Sequence, residues 1–221
     1  MNPLIRSSPT GSKVRSEQEQ VRLLLVVEGI HDVAFLKQIS TVLRVRDRSL
    51  PDLASMESQG QIVFLPFGGG DILSWAERLA PLRRPEFHLY DREQSPETDV
   101  RRTAIDRVNR RANCRGALTT KRSLENYLHP LAIHAASGIE MEIDDFCPVA
   151  ELAARRLYEA SPRCDPWDSL SQRARKRMAN RAKKWLNTRA IEQMTTDLLV
   201  QRNALEEVSF WLNTIHQLAS S

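Results

Sequence analysis

The chain has 221 residues, 41% of them hydrophobic, with 32 Lys and Arg against 28 Asp and Glu, a formal charge of +4 and a pI near 9.2. That is enough apolar material for one good core with an appendage rather than two full domains, and no apolar run approaches the roughly 18 residues that span a bilayer. Cys114, Cys147 and Cys164 stand far apart, odd in number and without a Cys-x-x-Cys pair, which argues against a disulfide framework or a zinc knuckle and fits a reducing cytoplasm.

Residues 1–19 carry no hydrophobic periodicity and lack the apolar core of a secretory signal, so they are expected to form a flexible leader. Residues 22–27, apolar without a break from Leu23, end at Glu28-Gly29, and helical spacing follows over 32–41: strand, turn, helix. The pattern repeats. A strand over 61–67 stops at Gly68-Gly69-Gly70, and Ile72, Leu73, Trp75, Ala76 and Leu79 continue with helical spacing. The glycines lack the Lys-Ser/Thr that completes a phosphate-binding loop and read as a flexible turn.

A third strand, 86–90, ends in Asp91-Arg92-Glu93, a helix is expected over 97–113, and 115–119 makes a fourth strand. Ser123 then caps a short helix through Leu128. From Pro148 onward the signal is helical only, over 148–160, 170–187, 189–201 and 203–219, the last with Leu205, Val208, Leu212, Ile215 and Ala219 on one stripe. Strands alternating with helices predict an α/β fold, a mostly parallel four-stranded sheet flanked by helices, with a helical C-terminal region.

Glu28 sits where the first strand ends and Asp32 one helical turn beyond it, so both can face one edge of the sheet. Asp91 and Glu93 follow the third strand at that same carboxyl edge, where ligands bind in parallel α/β sheets. Their spacing of two points both side chains one way if the chain stays extended. Carboxylates gathered in this way repel unless a cation sits among them, and hard divalent ions prefer oxygen shells, which calls for Mg²⁺ or Mn²⁺. Singly, each acid is explained as well by the favourable backbone dipole at a helix start.

Together, the apolar strand ending in Glu28 and the strand ending in Asp91-Arg92-Glu93 resemble the TOPRIM domain shared by type II and IA topoisomerases, bacterial primases and OLD (overcoming lysogenization defect) family nucleases. Three details are most similar to the OLD branch. They are Glu28-Gly29-Ile30-His31-Asp32 followed by Phe35-Leu36, then Ser123-Leu124-Glu125-Asn126-Tyr127-Leu128, and Lys183-Lys184-Trp185-Leu186-Asn187 followed by Met194-Thr195. The resemblance spans about residues 20–218. It implies a TOPRIM catalytic domain over 20–147 with a helical, basic C-terminal region over 148–221. It also implies metal ligands at Glu28, Asp32, Asp91, Glu93 and Glu125, with a catalytic cation at Lys184 ahead of Lys183. Glu93 departs from the family's Asp-x-Asp by one methylene, which leaves one or two metals open.

The basic charge is uneven. Between residues 163 and 189 nine Lys or Arg face only Asp165 and Asp168, and Arg173, Arg175, Lys176, Arg177, Arg181 and Lys183 are candidates to contact nucleic acid, although a solvated helix face reads equally well. His31, inside the first motif, and the four tryptophans have ordinary structural explanations. The expected activity is metal-dependent hydrolysis of phosphodiester bonds, in DNA ahead of RNA or tRNA. A catalytically silent nucleic-acid-binding protein is the non-enzymatic alternative. OLD-type proteins carry an ATPase ahead of this domain, so the resemblance implies a separate ATPase polypeptide and an anti-phage defence role. A homodimer is left open, and no membrane partner is expected.

Overall fold

The computed structural model describes residues 21–162 and 165–221; the expected leader and Cys164 lie outside them. Four strands, β1 (Leu23–Val27), β2 (Ile62–Pro66), β3 (Glu86–Tyr90) and β4 (Cys114–Leu118), form one sheet of order β2-β1-β3-β4 in which every pairing is parallel. This is the expected α/β fold. Every residue of β1 and of β3 is buried, as a parallel sheet covered on both faces requires.

Alternation along the strands divides two cores. Leu23, Leu25 and Val27 of β1, with Phe87 and Leu89 of β3, face α1 (Ile30–Arg44), whose Phe35, Leu36 and Ile39 pack on them. The same cluster takes in Trp211, Leu212 and Ile215 of the C-terminal helix Leu205–Ser220, so the helical C-terminal region is built into the sheet's larger core. Val26 and Tyr90 face the other way, against Ile72 and Ala76 of the helix Ile72–Arg78 and Ala104, Ile105 and Val108 of the helix Glu97–Asn109.

In chain order the helices are α1, α2 (Leu53–Ser58), α3 (Ile72–Arg78), α4 (Glu97–Asn109), α5 (Pro130–Ser137), α6 (Val149–Glu159), α7 (Gln172–Trp185), α8 (Thr196–Gln201) and α9 (Leu205–Ser220). Short α2 and α5 escape the periodicity because so few turns show no stripe; α2 buries only Leu53 and is started by Asp52, whose carboxylate accepts Ser55 N–H at 2.9 Å. The helix expected over 189–201 is divided. α7 runs into a π-helical turn, Leu186–Ala190, and a new helix begins where the Thr195 hydroxyl accepts Leu198 N–H at 3.2 Å. The element after Ser123 is a 3-10 turn, Leu124–Tyr127. No helix among the described residues is long and apolar enough to cross a membrane.

Strand β3 carries a polar string on its α3/α4 side, through alternate residues. Arg111 holds both oxygens of Glu86 (2.6 and 2.7 Å), Glu86 meets His88 Nε2 at 2.7 Å, and His88 Nδ1 meets the Tyr90 hydroxyl at 2.6 Å. Burial holds His88 below its ordinary pKa despite Glu86, so the neutral ring donates from Nε2 and accepts the Tyr90 proton at Nδ1. The Glu86 carboxylate, both His88 ring nitrogens and the Tyr90 hydroxyl thus each have a partner, while Arg111 Nε is buried without one.

The edge strand β4 is closed by α4. The Asn109 side chain bonds both Gly116 N–H (2.8 Å) and Gly116 C=O (3.3 Å), and a Cβ on Gly116 would stand 2.7 Å from Ile105 Cδ1 and 3.5 Å from Ile105 Cα. Gly116→Val should therefore push α4 off the sheet and destabilise the protein by about 1–3 kcal/mol, read as a shift in the denaturant midpoint. A variant of unchanged midpoint would show that this contact is not tight.

Candidate functional site

The site lies at the carboxyl end of the sheet, between β1 and β3, where the strand order reverses: β1 connects outward to β2 and the chain then returns to place β3 on β1's other side. This is the switch point at which open α/β sheets bind ligands. Four elements deliver one carboxylate each. Glu28 follows β1, Asp32 stands in the first turn of α1, Asp91 follows β3, and Glu125 lies in the 3-10 turn after β4.

Asp32, Asp91 and Glu125 are almost wholly buried, and local structure fixes each of them. Asp32 Oδ2 accepts Gly29 N–H at 2.7 Å, the helix-start role that its position suggests, while its Oδ1 is buried without a hydrogen-bond partner. Asp91 Oδ1 accepts Leu124 N–H at 3.1 Å. Glu125 Oε1 accepts the Asn187 side-chain N–H at 2.5 Å, and the same amide group bonds Lys183 C=O at 3.0 Å. Between the three acids stands the ammonium of Lys183, 3.7 Å from Asp32 Oδ1, 3.9 Å from Asp91 Oδ2 and 3.5 Å from Glu125 Oε1.

Glu28 is turned to the rim. Arg101 of α4 grips it with two bonds of 2.9 and 3.0 Å, and its Oε1 also accepts Asp91 N–H at 3.1 Å. Sequence reasoning missed Arg101, because an arginine in a polar helix carries no mark of the strand end it will reach. It missed Asn187 as well, whose place beside Lys183-Lys184 in the third motif was the available signal.

Glu93 does not join the cluster. The sequence reading required an extended chain after Asp91, but Glu93 has φ 53°, a left-handed conformation that swings its side chain to Arg122, 3.3 Å away. Lys184, placed ahead of Lys183 from sequence, is exposed on the last turn of α7; Lys183 is the one that enters the cluster. Arg173, Lys176, Arg177 and Arg181 are exposed along α7, and half-buried Arg175 lies 4.0 Å from Asp168. The ten-residue step from Arg173 to Lys183 covers about 15 Å of helix, so the basic face leads towards the acids.

The electrostatics are those of carboxylates short of positive charge. Burial, with Glu125 and Glu28 adding repulsion against the relief from Lys183, pushes Asp32 from its ordinary 3.8 up to about 6. Burial and Asp32 together raise Asp91 well above the usual carboxylate range. Burial opposes the Lys183 ammonium, but Glu125, Asp91 and Asp32 outweigh it and hold the lysine protonated. His31, at the start of α1, is lowered by burial and then by Lys183.

The donor set is all oxygen, as Mg²⁺ or Mn²⁺ requires, and the unpartnered Asp32 Oδ1 is an atom that such an ion would satisfy. The spacing, however, is that of acids spread around an ammonium. Among the described residues no three His, Cys, Asp or Glu side chains stand ready to hold a metal ion.

No family model and no curated protein matches the chain. Solved structures of the C-terminal region of the Xanthomonas campestris pv. campestris OLD protein are similar to it. One phased with iodine is 15% identical, covering 89% of this chain and 98% of that one, with a TM-score of 0.46. One phased with platinum is 14% identical, covering 89% and 96%, with a TM-score of 0.44.

A carboxyl whose pKa is raised on folding keeps its proton where the unfolded chain has lost it. Stability from that source is present below the unfolded value and is lost as pH rises. For Asp32 the window runs from 3.8 to about 6, so the metal-free protein should lose thermal stability as pH rises through it. Asp32→Asn should flatten the slope in a pH series of melting curves; an equal slope in both proteins would mean that the strain lies elsewhere.

Proposed function

We propose that the protein is a divalent-metal-dependent nuclease of the TOPRIM kind, hydrolysing phosphodiester bonds in nucleic acid, DNA ahead of RNA. The observation that carries this reading is the convergence of Asp32, Asp91 and Glu125, from three separate elements, on one cation position at the sheet's switch point. Structural ion pairs seldom gather three nearly buried acids around one lysine, because each desolvated charge adds to the cost.

Asp32, Asp91 and Glu125 would hold the ion, with Glu28 at the rim. Mg²⁺ or Mn²⁺ there supplies neutralisation of the phosphate and a more acidic water. The chain's own residues do the rest. Arg101 keeps Glu28 oriented, with its Oε1 also accepting Asp91 N–H. The exposed cations of α7 draw the sugar-phosphate backbone along the helix, and Lys183, at the end of that stripe, is the cation best placed to balance charge developing on the phosphate. This role passes to Lys183 from Lys184. Glu93, held by Arg122, is left out of the ligand set.

Asp91→Asn keeps an acceptor for Leu124 N–H and removes the charge. It should leave the circular dichroism spectrum unchanged and lower Mg²⁺-dependent cleavage by on the order of a hundredfold or more; full activity would sink the assignment. Plasmid, single-stranded DNA and tRNA compared as substrates separate the DNA and RNA readings. Salt-sensitive binding with no cleavage of any of them identifies a silent binding protein instead. Neutralising Arg173, Lys176, Arg177 and Arg181 should weaken binding to all sequences alike and reduce its salt dependence by roughly one unit of slope per lost contact, with turnover at saturating substrate preserved.

A further inference from the structure

The nuclease reading needs a divalent ion among the acids, and a cation already stands there. We propose that the Lys183 ammonium is the resident cation of the metal-free site and is exchanged for the divalent ion, so that metal loading and the outward swing of Lys183 are a single event. The inference rests on the nuclease reading and adds to it a condition for loading the site.

Four observations carry it. First, the ammonium lies 3.5, 3.7 and 3.9 Å from Glu125, Asp32 and Asp91, each longer than the roughly 2.7–2.9 Å of a charge-assisted hydrogen bond. It is shared by the three and seated firmly against none. Second, backbone N–H groups engage the other oxygen of Asp32 and of Asp91, so the atoms facing Lys183 are those a metal would take. Asp32 Oδ1 among them is buried and unpartnered.

Third, the acids are not yet spaced to hold an ion. Nζ stands 3.5–3.9 Å from the three oxygens that a divalent ion would draw to about 2.0–2.1 Å, so the ammonium fills the space the ion needs, and the two charges repel at that range. One must leave. Fourth, Lys183 has a way out. Its side chain keeps 29% of its surface exposed, its stem has four freely rotating carbons, and α7 opens into the π-helical turn Leu186–Ala190 immediately after it. Insertions of this kind are often found at functional sites. Asn187 in that turn bonds both Lys183 C=O and Glu125, so the backbone and the remaining acid stay in place while the ammonium moves. The released lysine then lies on the exposed face of α7, beside the path proposed for the phosphates.

The test uses the full chain without substrate, at mildly alkaline pH, with Mn²⁺ alone as the probe and free Mn²⁺ read by electron paramagnetic resonance. Lys183→Met should bind Mn²⁺ about tenfold or more tighter than the wild type, since the competitor is gone. In the wild type, labelling of Lys183 by an amine-reactive reagent, read by peptide mass spectrometry, should rise severalfold on adding Mg²⁺ while that of Lys184 stays constant. This second measurement decides the matter if Lys183→Met does not fold. Wild-type binding that Lys183→Met leaves unchanged or weakens, or Lys183 labelling indifferent to Mg²⁺, overturns the exchange while leaving the nuclease reading standing. No Mn²⁺ binding in either protein overturns both.

Discussion

The constraint on which the site depends is the repulsion among acids brought to one end of a parallel sheet. Asp32, Asp91 and Glu125 have lost nearly all their water, and no hydrogen bonding supplied by backbone amides makes up for the absence of positive charge. Two cations partly answer it: Arg101 on Glu28, and Lys183 among the others. What they leave unanswered appears as proton affinity, in the raised pKa values of Asp32 and Asp91.

Strand β3 shows that burial raises a carboxyl in this way only where counter-charge and hydrogen bonds fail to offset it. Its first residue, Glu86, is as deeply buried as Asp91 just beyond its last. Burial pushes the Glu86 carboxyl up, yet His88 and Arg111 outweigh it and hold the group below its ordinary value. Glu86 is a buried acid with its counter-charge and hydrogen bonds complete; Asp91 is one kept short of both. The contrast separates an acid whose charge is answered inside the fold from one whose charge is not. The residues after β4 serve the same end. Glu125 enters the cluster. Asn126 ties the loop to Asp144 and Cys147 through its amide N–H groups and to Ser123 through its carbonyl, and Tyr127 donates to Glu207 of α9. Two consecutive side chains thus anchor the turn that carries the acid just before them.

Much of this was legible in the sequence, and the exceptions share a cause. Glu28, Asp32 and Asp91 could be placed because strand ends and first helical turns are marked by where hydrophobic runs stop, and the sheet's parallel order then brings those ends together. Glu125 was found only through the resemblance of its motif. The place of Glu93, away from the cluster, was not legible because a single left-handed φ turns a side chain away and leaves no compositional trace in a non-glycine residue. Which of Lys183 and Lys184 stands among the acids was not legible, because adjacent helical positions differ by about 100° of rotation and the phase of α7 is set by tertiary packing. Arg101 and Asn187 went unrecognised because their partners lie 73 and 62 residues away in sequence. The strands, marked by local apolar runs, were readable; the charge pairing, which is long-range, was not.

Charge counting connects these points to the number of ions. Glu28, Asp32, Asp91 and Glu125 carry four formal negative charges, and Arg101 and Lys183 return two. Glu93 adds nothing to the deficit, because Arg122 balances it at the rim. A site short by two charges is neutralised by one divalent ion. If Lys183 leaves as that ion enters, the cluster itself is left one charge short, and the missing charge then stands just outside it, on a mobile ammonium facing the substrate. A second divalent ion would need a further carboxylate, and the nearest candidate in sequence, Glu93, is turned away with its own cation. On the nuclease reading, this charge count favours one ion with a lysine as its counterpart on the substrate side.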